Sequence, residues 1–113
     1  MFKIVKGNLF ITKGDTGAFY VKMTKKSDGA EYILREGDKL TLTVREQVGS
    51  PVLLRAESTT NNIRMNPSDT KNLEVGTCVY DIQLDTAEGD VFTIVGLTDE
   101  SERNMTVYPE VTE

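Results

Sequence analysis

The 113-residue sequence contains no histidine, no tryptophan, one cysteine and three prolines. Without histidine the chain lacks the commonest general base and metal ligand, so zinc chemistry and Ser-His or Cys-His nucleophilic catalysis are excluded. A lone Cys78 cannot close an intrachain disulfide. Carboxylates, lysine and tyrosine are what remain for the familiar chemistries. Aromatic residues make up 7% of the chain, which is thin material for a sugar-stacking surface. No run of 18 apolar residues occurs, and the N-terminal "MFKIVKGNLFITKGD" is interrupted by Lys6, Gly7 and Asn8 before a signal-peptide core could form. These features predict a chain made in the cytoplasm with no membrane partner. The 13 Lys and Arg are outnumbered by 18 Asp and Glu, for a net charge of −5. Nucleic-acid binding needs a cationic face, and the densest basic spot, Lys22 with Lys25 and Lys26, is too small to provide one.

What is present is alternation. Apolar residues make up 38% of the chain and charged ones 27%, ordinary proportions for a globular protein. In segment after segment the apolar residues recur with period two, as in half-buried strands. Phe19, Val21 and Met23 alternate with Tyr20, Lys22 and Thr24. Leu40, Leu42 and Val44 alternate with Thr41, Thr43 and Arg45. Further strands are expected at 8–12, 31–34, 52–57, 62–65, 77–84, 91–95 and 105–108. Turn residues separate them: Ser27-Asp28-Gly29, Glu36-Gly37-Asp38, Gly49-Ser50-Pro51 and Ala87-Glu88-Gly89-Asp90. The stretch "LDTAEGDVFTI" reads as a hairpin. One segment differs, because "RMNPSDTKNL" places Asn66 as an N-cap, Pro67 at the first helical position and Asp69 in the first turn. One short helical turn is therefore predicted around residues 67–73. The fold class expected is all-β: one antiparallel, immunoglobulin-like β-sandwich over residues 1–108, with 109–113 as a tail or linker after Pro109.

The motif with the sharpest chemical suggestion is Asp15-Thr16-Gly17-Ala18, the tetrapeptide that carries the catalytic carboxylate of retroviral-type aspartic proteases. Those enzymes are dimers in which two carboxylates share one proton beneath apolar packing. Ile94-Val95-Gly96 resembles the apolar pair plus glycine that accompanies such a site. Asp15, however, follows Thr12, Lys13 and Gly14 where a hydrophobic strand is required, and no glycine-rich flap hairpin lies between the two motifs. The sequence therefore favours a turn, closed by the Asp15 side chain. Cys78 is in phase with Tyr80, Ile82 and Leu84, which predicts a packed core thiol. Tyr32 and Tyr80 fall within apolar alternation and read as core tyrosines with bonded hydroxyls. The acidic loop "LTDESERN", with Asp99, Glu100 and Glu102, lacks the ligand spacing of a calcium loop and is expected to be solvated. No catalytic, cofactor-binding or metal-binding residue is assigned.

Taken along its length, the sequence resembles the small immunoglobulin-like proteins and domains of Firmicute prophages, including the N-terminal domain of phage baseplate upper proteins. The resemblance is carried by "ITKGDTGAFYVKM", "REGDKLTLTV", "PSDTKNLEVGTCVYDIQLDTAEGDVFTIV" and "YPEVTE". It departs at Cys78, where an aromatic would suit the pattern better. What it implies is a non-enzymatic virion component, built into a tail, baseplate or related particle, whose partners are other virion proteins or copies of itself. Two other readings stand beside it. A carbohydrate- or cell-surface-binding module would show exposed tyrosines clustered on one sheet face, and a dimeric protease would place a two-fold axis beside Asp15.

Overall fold

A computed structural model describes residues 1–5, 7–25, 27–95 and 104–110. Nine strands and one helical turn follow each other along them: β1 (Phe2–Val5), β2 (Asn8–Thr12), β3 (Gly17–Tyr20), β4 (Lys39–Arg45), β5 (Val52–Ser58), β6 (Asn62–Met65), α1 (Pro67–Thr70), β7 (Gly76–Asp85), β8 (Val91–Val95) and β9 (Asn104–Tyr108). The alternation seen in the sequence sets which side chains face inward. Leu40, Leu42 and Val44 of β4 are fully buried, as are Leu9 and Ile11 of β2 and Met105 and Val107 of β9. Cys78, Tyr80, Ile82 and Leu84 do the same along β7. From the opposite side come Ile63 and Met65 of β6 with Val21 and Met23, closing a single core.

Two sheets enclose that core. The large one runs β1-β2-β9-β7-β4-β5, and the small one consists of β3 and β6. β8 and β9 are two halves of one partner for β7. Val79 is opposite Asn104 of β9 and Ile82 is opposite Val95 of β8, on the edge of β7 away from β4.

The fold is all-β as expected, with three corrections of detail. The sandwich is not wholly antiparallel, because β2 runs parallel to β9, with Leu9 opposite Met105 and Ile11 opposite Val107. Side-chain periodicity carries no information about the direction of a partner, so this pairing has no signature in the sequence. The strand expected at 31–34 does not form; its backbone makes an isolated bridge, Thr24–Glu31, to the chain before it. The helical turn is shorter than the predicted 67–73. Asn66 caps it, donating its N–H to Asp69 Oδ2 at 3.0 Å, and Lys71 to Leu73 form a plain turn that drops Leu73 into the core.

Candidate functional site

Among the described residues, the part that departs most from regular sandwich structure is the connection from Val21 to Asp38. Two buried polar side chains hold it. Asn61, just before β6, accepts the Leu34 N–H on Oδ1 at 2.9 Å and donates Nδ2 to the Tyr32 and Val21 carbonyls at 2.9 and 3.2 Å. It does with one amide what a neighbouring strand would do with its backbone, which is why residues 31–34 alternate like a strand without being one. Asp38 holds the far end. Its carboxylate accepts the Tyr32 hydroxyl at 2.5 Å, the Arg35 N–H at 2.9 Å and the Ala87 N–H at 3.0 Å. The Tyr32 hydrogen bond, followed by the Arg35 main-chain bond, holds this carboxyl below its ordinary range against the opposing effect of burial.

The Ala87 bond ties the connection to the β7–β8 hairpin. Gly37 supports the same contact: at φ +90°, a Cβ there would lie 2.8 Å from the Ala87 Cβ, so only glycine fits both the backbone and the space. On the surface above, Arg35 pairs with Glu88 at 3.3 Å and lies over the Tyr32 ring. Between connection and hairpin runs an open groove of about 700 Å³, floored by Met23, Leu84, Phe92 and Ile94 and rimmed by Lys25, Arg35 and Asp90 among others. Phe92 is opposite Leu84 on the inward face yet stays half-exposed, and Val91 beside it is 59% exposed.

The sheet also leaves edges unpaired among the described residues. β1 and β5 end the large sheet, and β8 is paired on one side alone. Apolar side chains stand exposed on each: Ile4 and Val5 on β1, Val52 and Leu53 on β5, Val91 and Phe92 on β8. Such edges can accept a strand from another chain.

Asp15 belongs to none of these places. It sits in the turn that carries the chain from β2 in the large sheet to β3 in the small one. The turn is closed by a main-chain bond, Asp15 N–H to the Thr12 carbonyl at 3.0 Å, and not by the side chain as the sequence suggested, while the Lys13 N–H extends the pairing with β9 by donating to the Tyr108 carbonyl at 2.9 Å. The Asp15 carboxylate pairs with the Met1 ammonium, and its carbonyl accepts Thr70 Oγ1 at 2.7 Å. Gly17 has a packing role: a Cβ there would fall 2.8 Å from Met65 Cε and 2.9 Å from Phe2 Cδ1. Asp15 and Gly17 thus each have a structural duty at the crossing between sheets.

Cys78 is buried, donates to the Met105 carbonyl at 3.3 Å, and has its pKa pushed up to about 11 by burial. Tyr80 is buried with its hydroxyl donating to the Gly7 carbonyl at 2.6 Å. Tyr32 is half-buried on Asp38, Tyr20 is on the small sheet and Tyr108 is on the large one, so the four are dispersed. Lys26, Gly96 and the acidic residues Asp99, Glu100 and Glu102 lie outside the described residues. Among the described residues no group of three acidic or cysteine side chains could hold a metal ion, and no helix is long and apolar enough to cross a membrane.

Sequence reasoning missed Asp38, Asn61 and the exposed edge residues. A buried aspartate in "REGDKL" looks like any turn residue. Val91-Phe92 did carry a signal, since two adjacent apolar residues in a strand cannot both face the core.

No family model matches the chain, and comparison with curated proteins gives no match. Among solved structures it is similar to CopC from Methylosinus trichosporium OB3b, with a TM-score of 0.39, 13% identity and coverage of 66% of each chain.

Proposed function

We propose that this protein is a non-enzymatic assembly component of a phage or prophage particle, in a tail, baseplate or related part, and acts through protein–protein contacts. Its partners on this reading are other virion proteins or further copies of itself, and neither nucleic acid nor membrane. The observation that carries the reading is the set of strand edges left unpaired among the described residues, each bearing exposed apolar residues: Ile4 and Val5, Val52 and Leu53, Val91 and Phe92. Such edges can take up a strand from a neighbouring chain. The sequence segments that resemble prophage immunoglobulin-like domains supply the particle. Dispersal of the tyrosines denies the sugar-binding reading the cluster of exposed tyrosines it requires.

The test is binding of the purified chain to the structural proteins encoded beside it, with contacts located by cross-linking mass spectrometry. Cross-links that cluster at β1, β5 or β8 are expected. Failure to bind any of those proteins at micromolar concentration overturns the proposal.

A further inference from the structure

β5 closes one end of the large sheet, and its outward charges are arranged for one partner in particular. Its side chains divide cleanly: Leu54 and Ala56 are buried, whereas Leu53, Arg55 and Glu57 are exposed. Pro51 and a bulge, in which Leu53 is the extra residue opposite Val44/Arg45, lie at its start, and from Leu54 to Ser58 the strand has no proline, glycine, lysine or bulge to blunt its free edge.

We infer that β5 pairs antiparallel with β5 of a second copy about a two-fold axis through Ala56, joining two large sheets into one. This rests on the reading of the chain as an assembly component and names one of its contacts. A two-fold axis perpendicular to the sheet keeps inner faces with inner faces, so residues meet only in pairs of like facing. Centred on Arg55, the register opposes two guanidinium groups; centred on Glu57, it opposes two carboxylates. Centred on Ala56, it sets Arg55 against Glu57 of the second copy twice over, with a small side chain on the axis and Leu54 opposite Ser58 on the inner face. Opposite charges directly across a ladder stabilise it and like charges destabilise it, so the edge favours its own copy in this one register. Lys39, 3.0 Å from Glu57 on the adjacent strand, adds a cation to the same cluster.

The experiment is sedimentation equilibrium on the full chain and on R55E, E57R and the double variant R55E/E57R, with thermal unfolding to confirm that each is folded. Both substituted positions are exposed. Wild type should self-associate reversibly. Each single variant should associate at least about tenfold more weakly, since both pairs become like-charged, and the double variant should recover wild-type affinity. A monomeric wild type, single variants that associate normally, or a double variant that fails to recover would overturn the inference. Any of these results leaves binding to co-encoded virion proteins to be judged by its own cross-links, so the two claims fail separately.

Discussion

The Tyr32 hydroxyl lies 2.5 Å from the buried Asp38 carboxylate, and through Asp38 the irregular connection after β3 is fastened to the Ala87 N–H of the β7–β8 hairpin. Because these bonds favour the ionised form, the folded Asp38 carboxyl is held below its ordinary value. Its stabilising contribution is therefore in place at neutral pH and is lost as pH falls through the lowered value, below about pH 4. Asp38→Asn should lower the thermal midpoint at pH 7 and flatten its fall in acid. Thermal unfolding followed from pH 7 to pH 3 checks this; an unchanged acid slope in the variant would show that other carboxyls set it.

Asn61 bonds to three main-chain groups that have no strand beside them. Asn61→Ala should cost about 1–3 kcal/mol for each group left without a partner. Because those groups belong to Val21, Tyr32 and Leu34, amide exchange should accelerate at Leu34 before it does in β4 or β7. Equal loss of protection throughout would mean that the connection is not a separate unit.

These two side chains also mark where the sequence stopped being legible. Alternation located β2, β4, β5, β6, β7 and β9 because each buries one face and wets the other, whereas β8 is marked by the hairpin signal before it, its residues Val91 to Thr93 being exposed. It failed at residues 31–34, where a strand-like pattern is served by a side-chain amide instead of a ladder. It also passed over β1, whose residues are exposed apart from half-buried Phe2 and so have no dry face to announce them. Asp38 and Asn61 are ordinary turn residues in one dimension. Only the approach of Ala87 and Leu34, distant in the chain, gives them their duties.

The Asp-Thr-Gly motif makes opposite predictions for two of its residues. Asp15→Asn should leave unstructured peptides uncleaved, as in the wild type; pepstatin-sensitive cleavage by the wild type that the variant lacks would restore the protease reading. Gly17→Ala should destabilise by about 1–3 kcal/mol, since its methyl group meets Met65 and Phe2 in a filled space. Chemical denaturation measures that loss.

Cys78, with its pKa near 11 and its Sγ against the Met105 carbonyl, should react slowly with Ellman's reagent at pH 8 in the folded protein and rapidly in denaturant. Fast labelling of the native protein would mean that the β7–β9 pairing opens readily.

The claim that this chain is an assembly component is tested most directly by quantitative mass spectrometry of particles induced from the source and purified on a gradient. The chain is expected in the particle fraction at a fixed ratio to the other tail or baseplate proteins. Its absence from particles, while it accumulates in the same lysate, would rule out an assembly role.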